Sequence, residues 1–289
     1  MVKSILVAAT GNDSDAATFA AALAIARQFA AHLDVLHVRL DSVAVAVAMT
    51  TEAGGGALTA GLIQQMERDA QERERKAQEI FTRFCTGAGL AVTGAPAPAS
   101  TAAPSAEWHV ETGEEPRWMT AYGVAADLIV TPRASGEAVV ARATMEAVLL
   151  ESGRPILIPA ATAMAANFGR IAIAWKPTPQ AARAVALAMP FLARAKEIVV
   201  MTVGEEEGRR DDSDRLVQSL AWHGFSATAQ RLTPGPHGAA ETLLTAAASA
   251  KAGLLVLGGY GHSRLREWVF GGFTQRVLTD APLPALIAH

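Results

Sequence analysis

Near its C-terminus the chain reads Leu257-Gly258-Gly259-Tyr260-Gly261-His262-Ser263-Arg264-Leu265-Arg266-Glu267-Trp268-Val269-Phe270-Gly271-Gly272-Phe273-Thr274. Gly258, Gly261 and Gly271 are separated by two and then nine residues. Glycines at a strand end permit positive φ and let backbone N–H groups converge on one concavity. A helix beginning near Phe273 or Thr274 adds free N–H donors and a partial positive charge. The chemistry on offer is therefore capture of a polyphosphate. Turn glycines of purely structural purpose would look the same, and spacing alone does not separate the two readings.

No other residue set offers a rival chemistry. The histidines (His32, His37, His109, His223, His237, His262, His289) are scattered, with no His-x-His or His-x-x-x-His pair beside a carboxylate. His262 stands out only because it lies in the glycine segment. Ser263 lies in Gly-His-Ser-Arg, which is not a nucleophile elbow. No Walker-type Gly-x-x-x-x-Gly-Lys-Ser/Thr occurs, and no general base or magnesium-binding carboxylate pair flanks the glycines, so no enzyme is expected. Trp108, Trp175 and Trp268 read as packing residues, and Glu205–Glu207 beside Arg209–Asp212 as a solvated loop. Cys85 is the only cysteine, which excludes an intrachain disulfide and a cysteine metal cluster.

A phosphate loop needs a strand before it, a helix after it, and a sheet to hold both. The sequence supplies these twice. Ile5–Ala9 is a short apolar run followed by a polar turn, an Ala-rich stretch to Ala30, and a second run, Leu33–Val38. Ile171–Trp175, the turn Lys176-Pro177-Thr178-Pro179, an Ala-rich stretch to Ala195 and Ile198–Val203 repeat the pattern. Asp127–Val130 matches Gly253–Val256, and Arg154–Ile158 matches Leu283–Ile287. Buried run, turn, helix, buried run is the βαβ signature of a parallel sheet. The expectation is α/β: two tandem, doubly wound, five-stranded parallel sheets, over residues 1–159 and 167–289. In such sheets ligands bind beyond the carboxyl ends of the strands, at the topological switch point. The Trp175-Lys176 turn and Val203 stand at two of those ends.

In the first half, Leu62, Met66, Ala70, Ala77, Ile80 and Phe84 fall on one side of a helical projection. Gly54–Gly56 and Gly94–Ala106 lack a period and read as loops without chemistry. With 51% hydrophobic and 18% charged residues and a net charge of −3, the chain reads as globular and without the basic face of a nucleic-acid binder. No uninterrupted apolar stretch is long enough for a membrane span, and the N-terminus lacks the form of a secretory signal. A cytoplasmic location is expected.

Gly-x2-Gly-x9-Gly, with Gly261-His262-Ser263-Arg264-Leu265-Arg266 inside it and Ala281–Ile287 closing the chain, resembles the nucleotide-binding pattern of universal stress proteins. The resemblance spans both halves, and implies an adenine-nucleotide alpha-hydrolase-like sheet of order 3-2-1-4-5 in each. It further implies a Rossmann-like ATP or AMP site between first and fourth strands, and dimerisation through the last strand. Carried onto this sequence, the nucleotide site comprises Gly258, Gly259, Gly261, His262, Ser263, Gly271, Gly272, Phe273, Thr274, Trp175, Lys176 and Val203. Whether magnesium accompanies the nucleotide stays open.

Two departures weaken that site. The hydroxyl residue the family carries after its third glycine is Gly272 here; Thr274 either compensates or caps the helix. The acid at the end of the first strand is Lys176, which has no acceptor to offer. The N-terminal copy departs further. Thr131-Pro132-Arg133-Ala134-Ser135-Gly136 stands where the glycines should begin. Val130 to Pro155 spans 25 positions against 28 from Val256 to Pro284, a loss of three loop residues. Thr10, with Asp13 nearby, ends its first strand. The N-terminal half therefore reads as a degenerate copy kept for folding and assembly. The functional expectation is a stress-response sensor or regulatory module with its nucleotide site in the C-terminal half. The alternative is an assembly scaffold that binds no nucleotide. In either case Ala285–Ala288 is expected to pair with 154–158, an intrachain pseudo-dimer in place of the family's homodimer, although a homodimer also stays open.

Overall fold

The computed structural model describes residues 1–52, 60–96, 103–133, 139–160, 168–204, 210–259, 276–277, 279 and 281–289. Contacts divide the chain into two compact units, one formed by 2–132 with 139–148, the other by Met1, 133–138 and 149–289.

The N-terminal unit holds strands β1 (Ser4–Ala9), β2 (His32–Arg39), β3 (Ala91–Val92), β4 (Ser105–Thr112) and β5 (Leu128–Val130). They lie in the order β3-β4-β2-β1-β5, every pair parallel. Ile5–Ala9 and Leu128–Val130 are buried at every position, as expected of central strands covered on both faces. Helix α1 (Ser14–Phe29) buries Thr18, Phe19, Ala22, Ile25, Ala26 and Phe29, a stripe at helical spacing. It ends where Ala30 turns left-handed, φ 49°, and donates its N–H to Ala26. Helices α2 (Ser42–Glu52), α3 (Ala60–Ala88), α4 (Glu115–Gly123) and α5 (Val139–Glu151) complete the helical complement described.

Helix α3 corrects the sequence reading in detail. Ala70, Ala77, Phe81 and Cys85 are buried, whereas Leu62 is exposed and Ile80 and Phe84 are only half-buried. Ala70 and Ala77 are buried as expected, but past them the seam shifts one position C-terminal, where Phe81 packs on Trp108 of β4 while Phe84 packs on Phe19 of α1, ring centres 5.2 Å apart in each pair. The segment read as a loop to Ala106 is also shorter than expected. Ser105 and Ala106 already belong to β4, since β3 offers them a parallel partner at Ala91 and Val92. Gly54–Gly56 lies outside the described residues.

The C-terminal unit holds β6 (Ile156–Ile158), β7 (Arg170–Ala174), β8 (Glu197–Val203), β9 (Ala227–Leu232), β10 (Leu254–Gly258) and β11 (Ala285–Ala288). Its order is β6-β11-β10-β7-β8-β9. The five strands from β7 onward are parallel and reproduce the expected order 3-2-1-4-5. Helices α6 (Pro179–Leu192), α7 (Arg210–Trp222) and α8 (Gly238–Ser249) connect them. Small residues let α6 lie close to the sheet: Ala181, Ala184 and Ala188 are buried, and Phe191 stacks edge-on to Phe168 at 5.5 Å.

The sixth strand is the difference. β6 ends the first sequence repeat, yet it runs antiparallel to β11 with Ile158, Leu157 and Ile156 opposite Ala285, Leu286 and Ile287. All six side chains are at most 2% exposed. The terminal strand is an apolar edge, and the pairing expected from sequence covers it. The contact division accordingly places β6 with the C-terminal unit. Leu157→Ala should cost about 2–5 kcal/mol, the range for a buried Leu→Ala change. Hydrogen exchange should show the lost protection in Ala285–Ala288 and Leu254–Gly258, within the unit that follows Leu157 in sequence.

Candidate functional site

The chain leaves β7 toward β8 on one side, and returns through β9 and α8 to β10 on the other side of β7. This is a topological switch point, and the carboxyl ends of β7 and β10 bound its crevice. Val256 and Leu257 stand in register with Ile173 and Ala174, so Gly258 emerges beside Trp175. Lys176 follows on the exposed turn, and Val203, half-buried, closes β8 alongside. The start of the glycine segment and the Trp175-Lys176 turn thus share one edge of the sheet, as expected.

Thr178 caps the next helix. Its hydroxyl accepts from the Ala181 N–H at 3.2 Å, and Pro179 opens the first turn, where its missing N–H costs nothing. The Trp175 indole donates to the Asp212 carbonyl at 3.2 Å, which ties the ring to α7 and agrees with a packing role. Lys176 and the β7 end present no carboxylate to a ligand.

The described glycines serve a different physical need from the one inferred. Neither Gly258 nor Gly259 has positive φ. Gly258 is required for space, because backbone surrounds it, whereas Gly259 faces side-chain ends. A Cβ on Gly258 would lie 2.5 Å from the Ala181 amide nitrogen and 2.6 Å from the Gln180 carbonyl carbon. One on Gly259 would meet Leu149 Cδ2 at 2.9 Å and Ile287 Cγ2 at 3.0 Å. Gly259 also extends the ladder, donating to Ala288, while its carbonyl receives His289 Nδ1 at 3.1 Å. The end of β10 therefore rests directly on the first turn of α6, a helix N-terminus with a partial positive charge whose Ala181 N–H is already taken by Thr178. Gly261, His262, Ser263, Gly271, Gly272, Phe273 and Thr274 lie outside the described residues.

The corresponding turn in the N-terminal unit is built otherwise. Asp15, fully buried, accepts from Thr10 N at 2.9 Å, Thr10 Oγ1 at 2.7 Å and Gly11 N at 2.7 Å. Asp15, rather than Asp13, is the acid of this turn, and its oxygens are spent on the loop itself. Gly11 has φ +76°, and a Cβ there would lie 2.5 Å from the Arg73 carbonyl oxygen, so α3 lies against the turn. Sequence reasoning missed Asp15 because it is the second residue of α1, where an acid usually marks only a helix start. Burial pushes its carboxyl above the ordinary Asp range, against the hydrogen bonds from Thr10 and Gly11 and the charge of His37. Glu115 is raised as well, by burial and then by the charge of Asp15, against a Thr144 hydrogen bond and the charge of Arg73.

The sequence matches no protein-family model and no curated protein. Solved structures do match. A universal stress protein from Archaeoglobus fulgidus DSM 4304 superposes with a TM-score of 0.71 at 15% identity, over 99% of this chain and 95% of that one. The chain has the universal stress protein fold. A putative universal stress protein from Pseudomonas aeruginosa UCBPP-PA14 shares that fold at a TM-score of 0.57 and 17% identity, covering 99% and 93% of the two chains. A functionally unknown protein from Pseudomonas aeruginosa PAO1 does so at 0.56 and 17%, covering 99% and 92%. Among the described residues no helix is long and apolar enough to cross a membrane. Within the universal stress protein fold, the crevice between β7 and β10 lies between the first and fourth strands of the C-terminal repeat.

Gly258→Ala should destabilise the C-terminal unit by about 1–3 kcal/mol, the usual cost of overpacking, because its methyl meets backbone rather than a movable side chain. Thermal unfolding checks this. The Asp15 and Glu115 carboxyls hold their protons more tightly folded than unfolded. Their contribution is complete below their ordinary values of 3.8 and 4.5 and is lost as pH climbs through the raised folded values. Denaturant unfolding from pH 4 upward should show this decline in the N-terminal unit, and Glu115→Gln should make it shallower.

Proposed function

We propose that this chain is a tandem universal stress protein whose C-terminal repeat binds an adenine nucleotide, ATP or AMP, in the crevice between β7 and β10. The observation that carries the reading is the seating of Gly258 on the first turn of α6 at the switch point, with 2.5 Å between a hypothetical Cβ and the Ala181 nitrogen. Phosphate would lie against the backbone donors of the glycine segment, and the helix end supplies favourable potential. The N-terminal repeat serves folding and assembly, a reading supported by Asp15 and α3 occupying its corresponding turn. The β6–β11 ladder supports an intrachain substitute for dimerisation through the last strand. The role is sensing or regulation in the cytoplasm rather than turnover.

A second reading has its own support. Gly258 is explained by packing against backbone, which is what a scaffold that binds no nucleotide would require. Lys176 and Gly272 separate the two, because they remove an acceptor and a hydroxyl from the site. A hydrogen bond to a charged group is worth about 1.5–3 kcal/mol. Binding should therefore be tens- to hundreds-fold weaker than with those groups present, since about 1.4 kcal/mol is tenfold. In calorimetry with ATP, Lys176→Asp combined with Gly272→Ser should strengthen binding by at least tenfold. Undetectable binding in both proteins would favour the scaffold.

A further inference from the structure

In the N-terminal unit, β2 and β4 run parallel with Asp34 opposite Glu107, His32 opposite Ser105, and Leu36 opposite His109. Side chains two apart on a strand share a face. His32-x-Asp34 and Glu107-x-His109 therefore project together from adjacent strands, and residues scattered along the chain become one cluster. His32 Nε2 lies 3.5 Å from Asp34 Oδ1. His109 Nε2 lies 3.4 Å from the same oxygen and 3.6 Å from Glu107 Oε2. His32, Asp34 and Glu107 each offer a ligand atom within 4.8 Å of the others.

These separations exceed the roughly 2.7–3.2 Å of a good N–H···O hydrogen bond. The His32–Asp34 spacing of 3.5 Å matches something else. Bonds of about 2.0–2.2 Å from a tetrahedral zinc-class ion to nitrogen and oxygen place neighbouring ligand atoms roughly 3.3–3.6 Å apart. The outer contacts also fit ligation. His32 Nδ1 is held by Ser105 Oγ at 2.8 Å; with its proton there, the Nε2 lone pair faces Asp34. Ser4 Oγ donates to Asp34 Oδ2 at 3.0 Å, leaving Oδ1 toward the histidines. A Cβ on Gly94 would sit 2.5 Å from Glu107 Oε1, so the backbone after β3 lies against that carboxylate. The four side chains are 24–39% exposed, open enough for an ion to enter from solvent.

We propose that His32, Asp34 and Glu107 form a site for one divalent transition-metal ion of the zinc class, stapling β2 to β4, with His109 as a hydrogen-bonding neighbour of Asp34. One imidazole and two carboxylates are a suitable donor set for such an ion, with water completing the tetrahedron. The site shares no residue with the β7–β10 crevice and is independent of the nucleotide proposal.

The test is calorimetric titration of the chelator-treated full chain with Zn²⁺, together with Co²⁺ absorption as a reporter of coordination. One ion per chain is expected, with the intense visible bands of tetrahedral cobalt. Asp34→Asn and His32→Gln should each weaken binding at least tenfold, and the double variant should abolish it. His223→Gln, in the other unit, should leave binding unchanged. Absent stoichiometric binding would overturn the proposal and leave an ordinary ion-pair network, as would undiminished affinity in the double variant. Should the variants fail to fold, the unmodified chain still decides, because the weak spectrum of aqueous cobalt would refute the site.

Discussion

The end of β10 and the first turn of α6 meet with no room for a side chain between them. Gly258 stands where a methyl would fall 2.5 Å from the Ala181 nitrogen, and everything proposed for the C-terminal unit follows from that contact. It fixes the helix N-terminus against the strand end, and the parallel register of Leu257 with Ala174 brings the Trp175-Lys176 turn to the same edge. Thr178 then closes the cap that holds α6 in place. On the proposed reading this edge suits an anion, with the positive end of α6 on one side and the start of the glycine segment on the other. Lys176 leaves it without the acceptor that would hold the far end of a nucleotide.

The two repeats show how one βαβ plan diverges through few residues. Both begin with a fully buried strand and an Ala-rich helix. In the C-terminal repeat the turn between them faces the switch point, with the exposed Lys176 near its start and the Thr178 cap at its end. In the N-terminal repeat, three hydrogen bonds from Thr10 and Gly11 consume the Asp15 carboxylate, and α3 lies against Gly11. That carboxyl costs the fold desolvation, and Glu115 beside it adds like charge, so this turn is held best when protons are plentiful.

Much of the fold was legible because parallel strands buried on both faces leave continuous apolar runs, and the two sets of runs repeat along the chain. The partner of Ala285–Ala288 was legible too, as an apolar edge that needed covering. The end of the α3 seam was less so: Phe81 is buried on Trp108 of β4, whereas Phe84, half-buried, packs on Phe19 of α1, and only these tertiary partners separate the two. For Gly258, the sequence suggested a need for positive φ, whereas tertiary proximity makes it a need for volume. His32, Asp34, Glu107 and His109 were hidden for a related reason. Pairs two apart on different strands carry no contiguous motif, and only the register of β2 with β4 unites them.

The central claim is that adenine nucleotide enters the crevice between β7 and β10. Photo-crosslinking with an azido-adenine ATP analogue, followed by peptide mapping, tests it most directly. Saturable labelling, competed by unmodified ATP and confined to peptides carrying Trp175–Thr178 or the chain from Gly258 onward, is the result predicted. Competed labelling confined to the Thr10–Asp15 turn of the N-terminal unit, or none that ATP displaces, would contradict the account.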